Sequence, residues 1–298
     1  MARSNRNHAV KICHYLWNQN HLHILIVTNE PKALPAFYGE IMKKITETFK
    51  ALFGLDYLLL WNKRPSVIAL PFINDVIERI VYFYTNPAKD CLVDSIEQYP
   101  GCSSWSVFKQ NNNSIEHRDS TIVKWYRYSE IKPLLKDKHS INHINIKLFE
   151  HINAFTYENL QIETNAWMKI YGISDHRDVS EINQQIIDMI IKKENILKTE
   201  RISENKQVTG VKKLKYLFPK LTGYKPTKST RRIFVICRNK NYRLNFIKDY
   251  KLFCNNCKKA YHELLKGIQN VSWPPGAFTP WLPIIKNSTF YASLVKAG

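Results

Sequence analysis

The stretch NQNHLHILIV, residues 18–27, carries two histidines one residue apart that lead straight into an apolar run. In an extended strand, side chains two residues apart point to the same side. His21 and His23 therefore share a face that Leu25 and Val27 continue, while Leu22, Ile24 and Ile26 make the opposite face wholly apolar. The apolar face suits a core. The histidine face is open to two readings. Two imidazoles side by side on a strand can grip a metal ion, since imidazole is a frequent ligand. They can also be two ordinary half-buried histidines, the commoner case, because a pair is short of a full site.

Outward from this stretch, strand character extends over HYLWNQNHLHILIVT (14–28), and MARSNRNHAV (1–10) reads as a short polar, basic leader. NEPKALP (29–35) is a connector punctuated by Pro31 and Pro35. In AFYGEIMKKITETFKALFG (36–54), Ile41, Ile45, Phe49 and Leu52 recur every three or four residues. That spacing predicts an amphipathic helix with a basic outer face, closed by Gly54. DYLLLW (56–61) and SVIAL (66–70) read as strands around a turn at NKRP. NDVIERIVYFYTNP (74–87) reads as a second helix, opened by Asp75 with Glu78 in the manner of a capping box and ended by Pro87. The order of strand, helix, strands, helix predicts an α+β arrangement with helices packed on one face of an antiparallel sheet.

Beyond Cys102, NNNS (111–114) marks a loop. DHRDVSEINQQIIDMIIKKENILKTERI (175–202) reads as a long amphipathic helix with Ile182, Ile186, Met189, Ile190 and Leu197 on its apolar side. KKLKYLFPKLTGYKPTKSTRRIF (212–234) interleaves cations with Tyr216, Phe218 and Tyr224. Such a pattern suits a single-stranded nucleic acid, whose bases stack and whose phosphates need neutralising, or else a solvated basic linker. Cys254 and Cys257 have half the spacing of a zinc site, but KDYKLFCNNCKKAYHELLKGIQ (248–269) also reads as one amphipathic helix, with Leu252, Cys257, Tyr261 and Leu264 near one side. The other cysteines, Cys13, Cys91, Cys102 and Cys237, need not be paired in a cytosolic protein.

The chain has 298 residues, 44% of them hydrophobic, which is enough for one large domain or two modest ones. Its formal net charge of +19 favours a polyanionic partner. The longest apolar runs are too short to span a bilayer, and no secretory pattern is read at the start. Nucleic acid is therefore the expected partner, and no membrane is expected.

A second constellation lies in VYFYTNP (81–87). Tyr82 and Asn86 are four apart and share a helix face, with Glu78 one turn earlier. A tyrosine can act as a covalent nucleophile, and an amide oxygen one turn away can complete a metal site with two imidazoles. Tyr84 points away from that line. The plainer alternative is a surface tyrosine followed by a helix-closing Asn-Pro.

His-hydrophobic-His on a strand, followed on a helix by Tyr-x-x-x-Asn-Pro, resembles the single-tyrosine HUH transposases, and the REP-associated group in particular. The stretches that carry the resemblance are QNHLHILIV, YFYTNPAKDCLV (82–93) and YPG (99–101), spanning roughly residues 14–105; WPPGAFTPWLP (273–283) is a looser likeness. The resemblance implies that Tyr82 attacks a DNA phosphodiester to form a 5′-phosphotyrosine link. His21 and His23 then hold a divalent ion, with Asn86 at a third-ligand position. The family uses Mg2+ or Mn2+, and two imidazoles suit manganese better. Lys43, Lys44, Lys212, Lys213, Lys215, Tyr216, Arg231 and Arg232 are candidates for gripping the DNA strand.

The implied architecture is a ferredoxin-like HUH domain over residues 1–105, followed by a mostly helical, basic accessory region over 106–298. The implied protein acts on single-stranded or hairpin DNA as a homodimer, in the bacterial cytoplasm at the nucleoid. Against the family pattern the chain reads as shortened ahead of the histidine strand. The exposed sheet edge that this leaves is then covered by another segment or by a partner, or the chain is a decayed copy. A non-catalytic nucleic-acid-binding relative, and an unrelated basic α+β protein with structural histidines, are the competing readings.

Overall fold

In the computed structural model, the histidine stretch forms one arm of an antiparallel hairpin. Lys11–Trp17 (β1) pairs with Leu22–Val27 (β2), from Lys11 opposite Val27 to Trp17 opposite Leu22. The turn is closed by the Asn18 N–H donating to the His21 carbonyl at 2.8 Å. A bulge between Ile12 and His14 takes Cys13 out of the ladder. The structure describes residues 1–18, 20–30, 33–53, 55–61, 65–110, 114–119, 156–215, 233–268, 270–277 and 279. Among them β2 has a ladder only with β1.

The far edge of β1 is covered by the chain itself. Trp17 N donates to Cys102 O (2.8 Å) and Ser104 N to Tyr15 O (3.0 Å), while Glu163 N donates to Ile12 O (2.9 Å) at the bulge. The first residues, read from the sequence as a leader, are built into the fold. They form a short helix, Ala2–Asn7 (α1), and Val10 is buried behind it. The Asn7 amide donates to Glu40 at 3.1 Å and the His8 ring bonds the same carboxylate at 3.0 Å.

The helix Ala33–Phe53 (α2) follows the predicted periodicity and buries Phe37 and Ile41. They join Val10, Ile12, Tyr15, Val107, Leu160 and Ile162 in one core, against which Leu22, Ile24 and Ile26 pack. The wholly apolar face of β2 is thus the core-facing one, as its alternation implies. Each full burial of this kind is worth roughly 1.5–3 kcal/mol.

The helix Ile73–Lys89 (α3) begins two residues before Asp75 and runs past Pro87. Asp75 does not open it as a cap. Its Oδ1 accepts from Arg238 N at 3.2 Å. Pro87 does not end the helix either, and the chain beyond it keeps helix-type bonds, with Asp90 N to Asn86 O at 2.9 Å. Val76, Ile77, Ile80, Val81 and Tyr84 are buried along one side.

The mixed α+β class holds, but the strands expected over 56–61 and 66–70 do not form. Residues 55–61 carry no ladder; Tyr57 and Leu59 are 78% and 73% exposed, and Leu58 and Leu60 are half-buried. The alternation is strand-like. β propensity is realised only against a neighbouring strand, however, and Trp61 instead donates its indole N–H to α2, at Met42 O (3.1 Å) and Thr46 Oγ1 (3.0 Å). Ala69 makes a single parallel bridge, to Val235.

Trp105–Lys109 (α4) leads to a second two-stranded antiparallel sheet, Ser114–Asp119 (β3) with Thr156–Gln161 (β4). The long helix His176–Ser203 (α5) is capped by Asp175, which accepts from Arg177 N at 2.8 Å. It buries Ile186 and Ile190 as predicted, and also the polar Asn183 and Glu194, which the pattern did not single out. Asn183 donates to Asn165 Oδ1 at 3.1 Å. Glu194 accepts the Ile96 N–H at 2.6 Å, and burial lifts its carboxyl to about 7 against that bond. Val211–Lys215 (α6) follows.

The chain divides into two units, Met1–Pro65 with Val76–Thr230 and Ser66–Asp75 with Arg231–Gly298. The expected boundary at 105/106 falls inside the first, whose core includes Val107, Leu160 and Ile162. In the second unit, Ala69 bonds the 234–236 backbone, and Val235 and Cys237 are buried. Its helix Lys240–Leu265 (α7) is capped by Asn239. The Cys-x-x-C stretch is helical, as its periodicity predicts. Cys257 and Leu264 fall on the less exposed side, but Leu252 and Tyr261 are exposed and Ala260 is the residue buried. Among the described residues no helix is long and apolar enough to cross a membrane.

Truncating Ile162 to Ala is expected to cost about 2–5 kcal/mol in urea denaturation, because its cavity opens beneath β1. Ile196→Ala, on the exposed side of α5, is expected to cost less than about 0.5 kcal/mol. Equal losses would mean that Ile162 does not share the β1 core.

Candidate active site

The buried side of α3 fixes which residues its other side presents. Arg79, Tyr82, Asn86 and Lys89 stand at i−3, i, i+4 and i+7, the spacing of one helix face. Opposite them, His21 sits just ahead of β2 and His23 is its second residue, with ring centroids 4.7 Å apart and planes 83° apart. The two parts meet at Asn86. Its Nδ2 lies 3.1 Å from His21 Nε2 and 3.2 Å from His23 Nε2.

The hydrogen bonds define the tautomer. Asn20 Oδ1, an acceptor, lies 2.6 Å from His21 Nδ1, so Nδ1 carries the proton and Nε2 the lone pair. One amide NH2 group then has a hydrogen for each imidazole. Burial lowers the His21 pKa, with the nearby Asp90 carboxylate opposing. His23 is lowered to about 4 by burial, then by His21 and Arg79. Both rings are neutral at pH 7, the form that ligates metals. Phe83 stacks on His23 at 4.9 Å with an 18° interplanar angle and holds its plane.

The donor set fits a divalent ion. A half-turn of the Asn86 amide puts Oδ1 where Nδ2 lies, facing both Nε2 atoms. Donors bound at about 2.0–2.1 Å in adjacent positions stand about 3.0–3.4 Å from one another, and the Asn86 amide already stands at 3.1 and 3.2 Å from the two imidazole nitrogens. Two imidazoles and an amide are all neutral, so an ion held there keeps its full charge toward an anionic ligand. Among the described residues no group of three or more His, Cys, Asp or Glu side chains converges, so a third protein donor beside the two imidazoles would be the Asn86 amide.

Two tyrosines on α3 have opposite surroundings. Tyr82 is half-buried, with its ring edge-on to His23 at 5.6 Å. The Arg79 guanidinium lies 4.8 Å and the Lys89 ammonium 5.2 Å from its ring centre. Tyr84 is fully buried, bonded to His14 Nδ1 and Ser104 Oγ, both at 2.8 Å, and burial pushes its hydroxyl far above the ordinary range. Tyr84 is therefore a core residue, as its direction on the helix implies.

The hairpin turn is tied to the same helix end, with the Asn18 amide donating to Asp90 Oδ2 at 3.0 Å. Tyr99 of the YPG stretch donates to Trp17 O at 2.9 Å. A Cβ at Gly101 would stand 2.4 Å from the Tyr99 ring, so a side chain there would have to displace that ring.

The strand-gripping candidates are not gathered at the imidazoles. Lys43 and Lys44 lie exposed on α2 and pair with Glu47, at 4.0 and 3.1 Å. Lys212, Lys213 and Lys215 lie exposed on α6, whose start is tied to the chain after α3 by Thr209 N to Cys91 O (2.8 Å) and Gly210 N to Leu92 O (2.9 Å). Tyr216, Arg231 and Arg232 lie outside the described residues. Sequence reading missed Arg79, Lys89, Asn20 and Phe83. The spacing of Arg79 and Lys89 from Tyr82 is the signal that finds them.

No family model, curated protein or solved structure matches this chain.

His14, buried and lowered from 6.5 to about 3 by desolvation, gives a pH test. The folded state binds fewer protons at this ring than the unfolded state does, so stability is full above about pH 6.5 and falls as pH drops below it, by at most about 1.4 kcal/mol per unit. Urea denaturation at pH about 7 and about 5 is expected to show a smaller acid loss in His14→Gln than in the wild type. An unchanged pH dependence would mean that His14 is not held neutral.

Proposed function

We propose that this chain is a metal-dependent single-strand DNA endonuclease and strand transferase of the single-tyrosine HUH transposase kind, with Tyr82 as nucleophile. The observation that carries the reading is the meeting of the His21 and His23 Nε2 atoms on Asn86, one turn from the accessible Tyr82. The β1–β2 hairpin with α2 and α3 supports a ferredoxin-like HUH domain. The +19 charge supports a nucleic-acid partner. A homodimer at the bacterial nucleoid belongs to the same reading, because two cleavages need two single-tyrosine subunits.

His21 Nε2, His23 Nε2 and Asn86 Oδ1 would hold the ion, which supplies Lewis-acid polarisation of the scissile phosphate. Tyr82 forms the new bond from its phenolic oxygen to phosphorus as the bond from phosphorus to the 3′ oxygen breaks. The phenolic proton leaves by way of solvent, and the departing 3′ oxygen takes up a proton. The 5′-phosphotyrosine ester conserves the bond energy for strand transfer, so no nucleotide cofactor is needed. Phe83 and Asn20 keep the two imidazoles aimed while this happens.

The second reading, a non-catalytic nucleic-acid-binding relative, draws on the same atoms. Asn86 satisfies both imidazoles by hydrogen bonding, without an ion.

Incubation with labelled single-stranded hairpin DNA and manganese separates the two. Wild type is expected to form a covalent adduct, Tyr82→Phe none, and His23→Ala on the order of tenfold less or lower. Absence of an adduct from folded wild type, alongside salt-sensitive DNA binding, would establish the second reading.

A further inference from the structure

We propose that Arg79 and Lys89 form a two-cation clamp for the backbone phosphates of single-stranded DNA on either side of Tyr82. This deepens the tyrosine-nuclease reading and rests on it for the identity of the strand.

The two cations come from positions ten apart on α3, yet both side chains converge on one ring, at 4.8 and 5.2 Å from its centre. Their charges therefore stand no further apart than the sum of those distances, a span that neighbouring phosphates of one strand can bridge. Arg79 is half-buried, and burial lowers its pKa while Tyr82 opposes. A desolvated guanidinium is costly unless an anion or a π face compensates it. Among the described residues neither Arg79 nor Lys89 forms an ion pair with a carboxylate, whereas Lys11, Lys44, Lys109, Arg201 and Lys206 do.

The ring face alone leaves most donors of both cations free, and a guanidinium fork matches phosphate oxygens in pairs. The clamp also has a direction. α6 begins beside the chain that follows Lys89 and carries three exposed lysines, so a strand leaving Tyr82 past Lys89 meets further positive charge.

The test uses the full chain carrying Tyr82→Phe, which keeps the ring and removes the nucleophile, in EDTA. Binding of fluorescein-labelled oligothymidine is followed by anisotropy across a range of salt concentrations. Adding Arg79→Gln or Lys89→Gln is expected to flatten the slope of log affinity against log salt by about 0.7 each and to weaken binding several-fold. Arg79→Lys, which keeps the charge, and Lys192→Gln, on the exposed side of α5, are expected to keep the parent slope.

Parent slopes in both Arg79→Gln and Lys89→Gln would overturn the clamp and leave the two cations as staples on the Tyr82 ring. Lys89 is exposed, so its variant reads out even where Arg79→Gln disturbs folding. The outcome is separate from that of the adduct experiment. Flattened slopes without an adduct support the clamp and defeat the nuclease; an adduct with parent slopes does the reverse.

Discussion

Every candidate catalytic group takes its position from one buried hydrogen-bonded group, in which the Tyr84 hydroxyl is held between His14 of β1 and Ser104. Ser104 also accepts the Tyr15 N–H at 2.7 Å, so the group joins α3, the hairpin and the segment that covers the β1 edge. Trp105 and Phe108 close around it, with Trp105 5.1 Å from Tyr84 and Phe108 5.0 Å from His14. Each of these bonds is worth only about 1 kcal/mol net, but a buried partner left unpaired costs about 1–3 kcal/mol. That asymmetry makes the register of α3 against β1 hard to shift. With Tyr84 fixed against β1, Tyr82 and the buried Asn86 are turned toward the imidazoles, and a slip of one residue would take both away from His21 and His23.

The neutral state of the two imidazoles follows from the same packing. β2 turns one side to the core, and α3 closes over the other, where Phe83 covers the His23 ring. Desolvation then disfavours protonation, and Arg79 adds to it at His23. A basic protein would ordinarily repel a cation from such a place. Neutral, pre-aimed nitrogen donors offset that repulsion only together with an anion, which makes metal and phosphate mutually dependent ligands in the proposed site. In the proposed chemistry the ion would be held weakly without the strand, and the strand's phosphate would be polarised only beside the ion.

What was legible in the sequence is local periodicity. Residues i and i+2 on a strand placed His21 with His23, and residues i and i+4 on a helix placed Tyr82 with Asn86; both hold because one side of each element is buried. The same rule set Tyr84 apart from Tyr82. What was not legible depends on partners far away in the chain. Asp75 looks like a helix cap, yet its carboxylate accepts from Arg238, and Glu194 looks like a solvated position on α5 until Ile96 N reaches it. The run at 56–61 has the composition of a strand and lacks only a neighbour, which no local pattern reports. The covering of the β1 edge by 102–104 and by Glu163 is equally non-local.

The contrast between the two tyrosines shows how a short stretch divides structural from chemical work. Tyr84 is fully enclosed, its hydroxyl has two hydrogen-bonded partners, and ionising it inside the core is prohibitive. Tyr82, two residues earlier, is only half-buried and has two cations against its ring. A nucleophilic phenol has to lose its proton as it attacks, which an enclosed hydroxyl such as that of Tyr84 resists. The residue that anchors the helix is therefore not the proposed nucleophile, and the proposed nucleophile contributes little to the anchor. That separation lets Tyr82 be altered without unfolding the site. It also follows that loss of Tyr84 would disturb the geometry of His21, His23 and Asn86 together.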